Sequence, residues 1–322
     1  MSLANNHLNQ PTVSVIIPTF NRPGLLKRAI ESVLSQDYEN IIEIIITDDG
    51  SSEETKKVVE EFLKKDKRII YVKNTKYPKG PCGNKNNGLD YASGEFLVIL
   101  DDDDELLPNA ISTTIKAYIE YGYKIILAAC IDSKEKKFTG KHYNNDEVVT
   151  YKDFLCGKYE GEYFLVIHRD LIGEKRFYSE AYGGESLLWW EAFKEAKAFY
   201  IHKPLRIYNV ENPFRVTFNV YKHPKRTFLI YKLMLELYGE DMKRLCPKVY
   251  IKNCFMASLF ARLSGEYLKA IKYSLMTFKV KRLSFLKLLF LVFIILPLPK
   301  RIFIAIREFS QRYIKNLLFK SI

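Results

Sequence analysis

Four short apolar runs in the first third of the chain, residues 13–17, 41–47, 69–72 and 95–100, are rich in Val, Ile and Leu. Between them the spacing changes. Leu25, Leu26, Ala29, Ile30, Val33 and Leu34 recur with the period of a helix, as do Val58, Val59, Phe62 and Leu63, and residues 84–92 read as helical despite Gly88. Continuous apolar runs are what strands buried on both faces require. Strand and helix therefore alternate to about residue 104, which predicts an open, mostly parallel sheet with helices on both faces. Ligands of such sheets gather at the carboxyl ends of the strands.

The fourth run ends at that edge in Asp101-Asp102-Asp103-Asp104-Glu105. Carboxylates this close repel unless something positive neutralises them. A hard divalent cation that also holds substrate phosphates would do so; an acidic turn or helix cap is the plainer reading.

Downstream, residues 110–121 read as a helix, 124–129 and 163–167 as strands, 185–197 as a helix and 199–201 as a strand. Residues 132–163 are polar and irregular, and from residue 227 the pattern is all-helical. The expected division is an α/β domain over residues 1–210 and a helical region over 211–322.

The 322-residue chain is folded by composition, 48% hydrophobic and 27% charged. Its five cysteines show no CxxC spacing, which argues against a zinc site or disulfide framework and fits a reducing compartment. Residues 1–11 are polar and give no expectation of a secretory signal.

The net charge of +12 is unevenly placed. Residues 262–322 hold 13 Lys and Arg against Glu266 and Glu308, so the rest of the chain is close to neutral. Residues 288–298 are almost wholly apolar but too short for a span of about 20 residues. After Pro297 and Pro299, apolar and basic positions share the pattern of a helix lying in a membrane interface. The expectation is attachment of residues 285–322 to an anionic membrane surface, peripheral or monotopic. A core or oligomer role and a true span are the alternatives. No zinc-finger or RNP pattern points to nucleic acid, and the oligomeric state is not legible.

Four pieces stand in order along this frame. They are Val15-Ile16-Ile17-Pro18-Thr19-Phe20-Asn21; Thr47-Asp48-Asp49-Gly50-Ser51; Asn84-Lys85-Asn86-Asn87-Gly88 continuing to Glu95; and the acidic run. Together they resemble the inverting, metal-dependent glycosyltransferases of family 2, over roughly residues 12–210. The resemblance implies an α/β, GT-A type, Rossmann-like nucleotide-diphospho-sugar transferase fold, here with a helical, basic amphipathic C-terminal extension. Residues 12–115 would bind the nucleotide sugar and metal, and 116–210 would face the acceptor.

By that resemblance Pro18, Thr19, Phe20 and Asn21 line the nucleotide, with Phe20 packing beside the base or else in the core. Asp48 reads a uracil edge, because a fixed carboxylate accepts from a ring N–H. Asp49 shapes the loop. Lys85 meets the pyrophosphate where the family usually has Arg, keeping the charge without the planar fork. Asp101 serves ribose and metal, Asp102 fills the variable place beside the nucleotide, and Asp103 is the main ligand of Mn²⁺ or Mg²⁺. Four successive aspartates leave that register open by one residue.

The family's Glu-Asp base region reads Gly183-Gly184-Glu185-Ser186 here. Serine is a poor base at neutral pH, so Glu185, or failing it Glu180, takes the acceptor proton. His202 is a further candidate near the metal. The implied reaction moves a sugar from a nucleotide-diphosphate donor, a UDP-sugar before GDP-mannose, to a glycan or lipid-linked acceptor at the cytoplasmic side of the cell membrane. The rival classes are a sugar-nucleotide nucleotidyltransferase and a catalytically inactive membrane-associated glycan-binding protein. The loop Pro-Thr-Phe-Asn-Arg-Pro after the first strand lacks the Gly-rich basic character expected of the former.

Overall fold

The computed structural model describes residues 10–140, 145–211 and 223–280. The chain divides into two compact units, Met1–Val216 and Thr217–Ile322.

The first unit is built on one sheet. Its strands are β1 (Val13–Thr19), β2 (Ile41–Asp48), β3 (Ile69–Lys73), β4 (Phe96–Ile99), β5 (Glu105–Leu106), β6 (Ile125–Asp132), β7 (Glu147–Val149), β8 (Tyr163–His168) and β9 (Ala198–Tyr208). Its helices are α1 (Pro23–Leu34), α2 (Glu53–Leu63), α3 (Pro81–Leu89), α4 (Ala110–Tyr121), α5 (Tyr151–Leu155) and α6 (Ser186–Glu195). The sheet order is β3-β2-β1-β4-β8-β6-β9-β5, with β7 also on β9.

Every residue of β1 is buried, as a central strand covered on both faces must be. One core joins the sheet to Leu26, Ile30, Val59, Phe62, Ile111 and Ile115 of α1, α2 and α4. A second core, containing Ile16, Ile45 and Leu97 of the sheet, takes in α3 and α6 through Leu89, Leu188 and Phe193.

The first four strands in the order are parallel, as the alternation predicts. The rest is mixed: β8 lies antiparallel between β4 and β6, β9 is parallel to β6, and β5 and β7 run antiparallel to β9. This is a mixed, Rossmann-like GT-A sheet flanked by helices, the class that the resemblance implies.

The strand expected at 199–201 continues through Pro204 to Tyr208. Pro204 falls at a register shift against β6, where a missing ladder N–H is tolerated. The irregular segment after residue 132 contains β7 and α5. The latter starts with a capping box in which Thr150 accepts from the Asp153 N–H and Asp153 accepts in return.

The second unit contains α7 (Pro224–Leu245), α8 (Pro247–Leu263) and α9 (Tyr267–Met276). Proline at the first position of α7 and α8 fixes the starting φ without losing a helical hydrogen bond. Tyr250, Cys254, Ala257 and Phe260 of α8 are buried, and the Ser258 hydroxyl donates to the Ala270 carbonyl of α9 at 2.6 Å. Among the described residues no helix is long and apolar enough to cross a membrane. The segment expected to attach to a membrane, 285–322, lies outside the described residues.

Candidate active site

The loops that leave β1, β2 and β4 open at the same edge of the sheet, because these three strands are parallel neighbours. Asn21 ties the first loop to the second. Its backbone has φ 54°, a conformation Asn tolerates better than most residues. Its N–H donates to Ser51 Oγ at 2.9 Å, and its Oδ1 accepts from the Ser52 N–H at 2.7 Å.

Asp48 ends β2 fully buried. Its Oδ1 accepts from the N–H groups of Gly50 and Ser51 and from the Ser51 hydroxyl. Its Oδ2 accepts from the Tyr71 hydroxyl. Asp49 accepts from Asn74 Nδ2 and from the Gly80 N–H, which locks the loop before α3. Burial raises the Asp49 carboxyl above its ordinary value, against the pull of those donors.

Helix α3 begins at Pro81, three residues earlier than the sequence pattern places it, and is buried from Cys82 to Leu89. A polar helix this deep needs its side chains paired. Asn84 Nδ2 donates to the carbonyls of Thr19 and Thr47, joining α3 to β1 and β2. Asn86 donates to the Phe177 carbonyl at 2.8 Å and accepts from its N–H at 2.7 Å. Gly88 permits the close approach: a Cβ there would stand 2.3 Å from Ile16 Cγ2.

Lys85 projects from this helix and is 6% exposed. Its Nζ lies 3.0 Å from Asp101 Oδ1 and 3.2 Å from Glu185 Oε1. Three residues predicted separately, spread over a hundred positions, are thus one contact chain. Burial opposes the charge on Lys85, but Asp101 and Glu185 more than offset it and hold its pKa above the ordinary lysine value. Burial likewise works against the Asp101 carboxylate, yet Lys85, with Arg206 and Arg22 farther off, holds that carboxyl below its usual range.

Exposure in the acidic run alternates. Asp102 and Asp104 are 3% and 1% exposed, whereas the Asp101 and Asp103 side chains are 43% and 15% exposed. Asp102 is committed to the protein, accepting from Thr19 Oγ1 at 2.7 Å and from Arg22 at 2.8 Å. Asp104 Oδ1 accepts from the Asn209 N–H at 2.9 Å, and its Oδ2 lies 3.4 Å from Arg206. Burial pushes the Asp102 carboxyl up to about 6 and that of Asp104 up to about 8, each against a neighbouring arginine. Arg22 also lies 3.4 Å from Asp103.

Glu185 precedes α6 after a turn in which Gly183 takes φ 86°. Its side chain makes no helix-cap hydrogen bond; its partner is Lys85. Glu180 is exposed. His202 lies on β9, stacked on Phe138 and 3.3 Å from the Tyr200 hydroxyl, and none of its partners belongs to the acidic run. Pro18 and Thr19 are buried, while Phe20 is 51% exposed and so stands outside the core. Trp189 packs edge-on against Phe177.

Three residues at this edge had no assigned part in the sequence reading: Arg22, Tyr71 and Arg206. Arg22 had a local signal, since it sits in the first loop beside the candidate nucleotide wall. Arg206 had none, because only the pairing of β9 with β5 brings it beneath the acidic run.

The two partly exposed carboxylates suit a divalent cation by their chemistry. Mg²⁺ and Mn²⁺ accept one or two carboxylates together with substrate phosphates and water, and Asp101 and Asp103 are such a pair. Among the described residues no group of three His, Cys, Asp or Glu could hold a metal ion alone.

Residues 14–182 match the sequence model of Glycosyl transferase family 2. The GalNAc(5)-diNAcBac-PP-undecaprenol β-1,3-glucosyltransferase of Campylobacter jejuni is 44% identical over 265 residues, 80% of this chain and 85% of that protein. Residues 1–349 of S. aureus TarS, in complex with UDP-GlcNAc, share the fold at a TM-score of 0.62 and 16% identity, over 84% of this chain and 81% of that one. The mannosyltransferase PcManGT of Pyrobaculum calidifontis, in complex with GDP-Man and Mn²⁺, aligns at a TM-score of 0.52 and 14% identity, over 95% of this chain and 88% of that one.

Proposed function

Since the chain belongs to glycosyl transferase family 2 and transfers a sugar from a nucleotide-sugar donor, we propose that its donor is a UDP-hexose. Its acceptor is then a glycan carried on a polyprenyl diphosphate. The Asp101–Lys85–Glu185 contact chain carries the reading, because it joins a candidate diphosphate site to a candidate base at the sheet edge. The Campylobacter relative, whose name states a glucosyltransferase acting on an undecaprenol-diphosphate glycan, gives the substrate class.

In this reading the exposed Phe20 ring packs beside the base, within the wall formed with Pro18, Thr19 and Asn21. Asp48 Oδ2 accepts the uracil N–H in exchange for the Tyr71 hydroxyl. Lys85 turns from its carboxylates toward the diphosphate. Asp101 and Asp103 would hold Mn²⁺ or Mg²⁺, which when bound supplies positive charge to the departing diphosphate. Asp102 acts through Thr19 and Arg22, fixing the first loop to the acidic run. Glu185 removes the acceptor proton as the hydroxyl attacks from the face opposite the nucleotide, inverting the anomeric centre. Residues 12–115 serve the donor and 116–210 the acceptor. The basic C-terminal region keeps the enzyme peripherally on the cytoplasmic leaflet, where a lipid-linked acceptor lies.

A donor panel of UDP-glucose, UDP-GlcNAc and GDP-mannose, with Mn²⁺, Mg²⁺ or EDTA and a polyprenyl-diphosphate-linked glycan, tests this. The expected result is metal-dependent UDP release coupled to acceptor extension. Turnover of GDP-mannose alone refutes the donor assignment. Donor binding with neither transfer nor hydrolysis favours the inactive binding protein.

A further inference from the structure

The outward half of α9 is apolar and basic together. The helix buries Ala270, Tyr273 and Ser274. On its opposite side Leu268 is 83% exposed, the highest value among the large exposed hydrophobics of the described residues, and Leu275 is 49% exposed. Seven residues apart, the two share one stripe. Tyr267 and Phe278 are also exposed at the two ends of the segment. Lys269 and Lys272 are exposed, and α9 contains no acidic residue. The nearest acid, Glu266, pairs with Lys269 at 3.1 Å.

Water is a poor solvent for such a stripe, and an uncharged protein groove would offer Lys272 no counter-charge and Lys269 none beyond Glu266. A surface that is apolar inside and anionic at its rim satisfies both. The chain after α9 continues in the same character: residues 281–322 hold nine Lys and Arg against Glu308, and include the apolar run 288–298.

We propose that the outward face of α9 is a membrane-contact surface, with Leu268 and Leu275 entering the acyl boundary of an anionic bilayer and Lys269 and Lys272 at its headgroups. This rests on the reading that the enzyme works at a membrane and assigns that contact to a defined helix.

Flotation of the full chain on vesicles of phosphatidylcholine, with and without phosphatidylglycerol, tests it. Leu268→Glu/Leu275→Glu should weaken binding to both vesicle types by at least about tenfold, because the apolar area is lost. Lys269→Ala/Lys272→Ala should weaken binding by about tenfold on anionic vesicles only, allowing for the Glu266 pair. These side chains are exposed, so thermal melts should match wild type and show that neither variant misfolds. Wild-type flotation with unchanged binding of both variants overturns the α9 assignment and leaves the membrane reading standing. No flotation of wild type overturns both. A self-associated wild type that the glutamates make monomeric assigns the face to a second copy and overturns the proposal.

Discussion

Replacing Lys85 with methionine removes one charge at nearly constant volume, and the structure gives its consequence. The lysine is buried and lies 3.0 and 3.2 Å from two carboxylates. Breaking a buried ion pair by deleting one partner costs about 3–5 kcal/mol. The Asp101 and Glu185 side chains are 43% and 26% exposed, so water screens part of the loss. The lower end, about 3 kcal/mol, is therefore expected. For a unit of roughly 200 residues that lowers Tm by about 6–12 °C. The effect depends on pH with a definite sign. Asp101 is held below its ordinary value, so its stabilising share is complete above about pH 4 and is lost as pH falls through the folded value. Lys85 is raised, so its share is complete below about pH 10 and is lost only as pH rises through its folded value. The gap between wild type and Lys85→Met should be flat from pH 6 to 9 and narrow toward pH 3. The double variant Lys85→Met/Glu185→Gln should be more stable than the sum of the two single effects, because it removes one of the stranded charges. Thermal unfolding followed by circular dichroism across that pH range measures all three. A Tm loss under about 2 °C at pH 7, or strict additivity in the double variant, refutes the contact chain.

Glu185→Gln should lower transfer by about two to four orders of magnitude while leaving the donor Kd near wild type; near-normal transfer moves the base to another acid. Asp103→Ala should abolish the strengthening of UDP binding by Mn²⁺, read by calorimetry with and without EDTA; retained metal dependence would remove Asp103 from the ligand set. Asn86→Ala strands the N–H and carbonyl of Phe177, and should cost about 2–4 kcal/mol in urea unfolding. A cost below about 1 kcal/mol would mean that water or another group replaces the amide.

The parallel half of the sheet was legible because strands buried on both faces are near-continuous apolar runs, and β1, β2 and β4 are, interrupted chiefly by the buried Ser14 and Glu43. The direction of β8 was not. Periodicity reports which face a residue occupies and says nothing of which way the chain runs, so TyrPheLeuValIleHis reads the same parallel or antiparallel. The extension of β9 beyond Pro204 was hidden for a related reason: proline ends a regular strand, and only the register shift against β6 lets this one continue. Glu185 and Lys85 were singled out by pattern, but their mutual contact was not legible, since the segment before α6 is brought to α3 by long-range contacts such as the Asn86–Phe177 hydrogen bonds.

The acidic run shows where a charge argument from sequence needs the fold. Four adjacent aspartates demanded positive charge, and a metal was the simplest local source. The structure supplies Lys85 at Asp101, Arg22 at Asp102 and Asp103, and Arg206 at Asp104, from positions 16 to 102 residues away along the chain. Repulsion within the run is therefore met by protein cations before any ion arrives. The case for a metal shifts to the donor: a diphosphate brings further negative charge to an edge whose three cations already face carboxylates. In the proposed reading, a divalent ion on the partly exposed Asp101 and Asp103 would match that added charge. The two carboxylates that keep some solvent exposure, rather than the length of the acidic run, are thus what supports the proposed metal site.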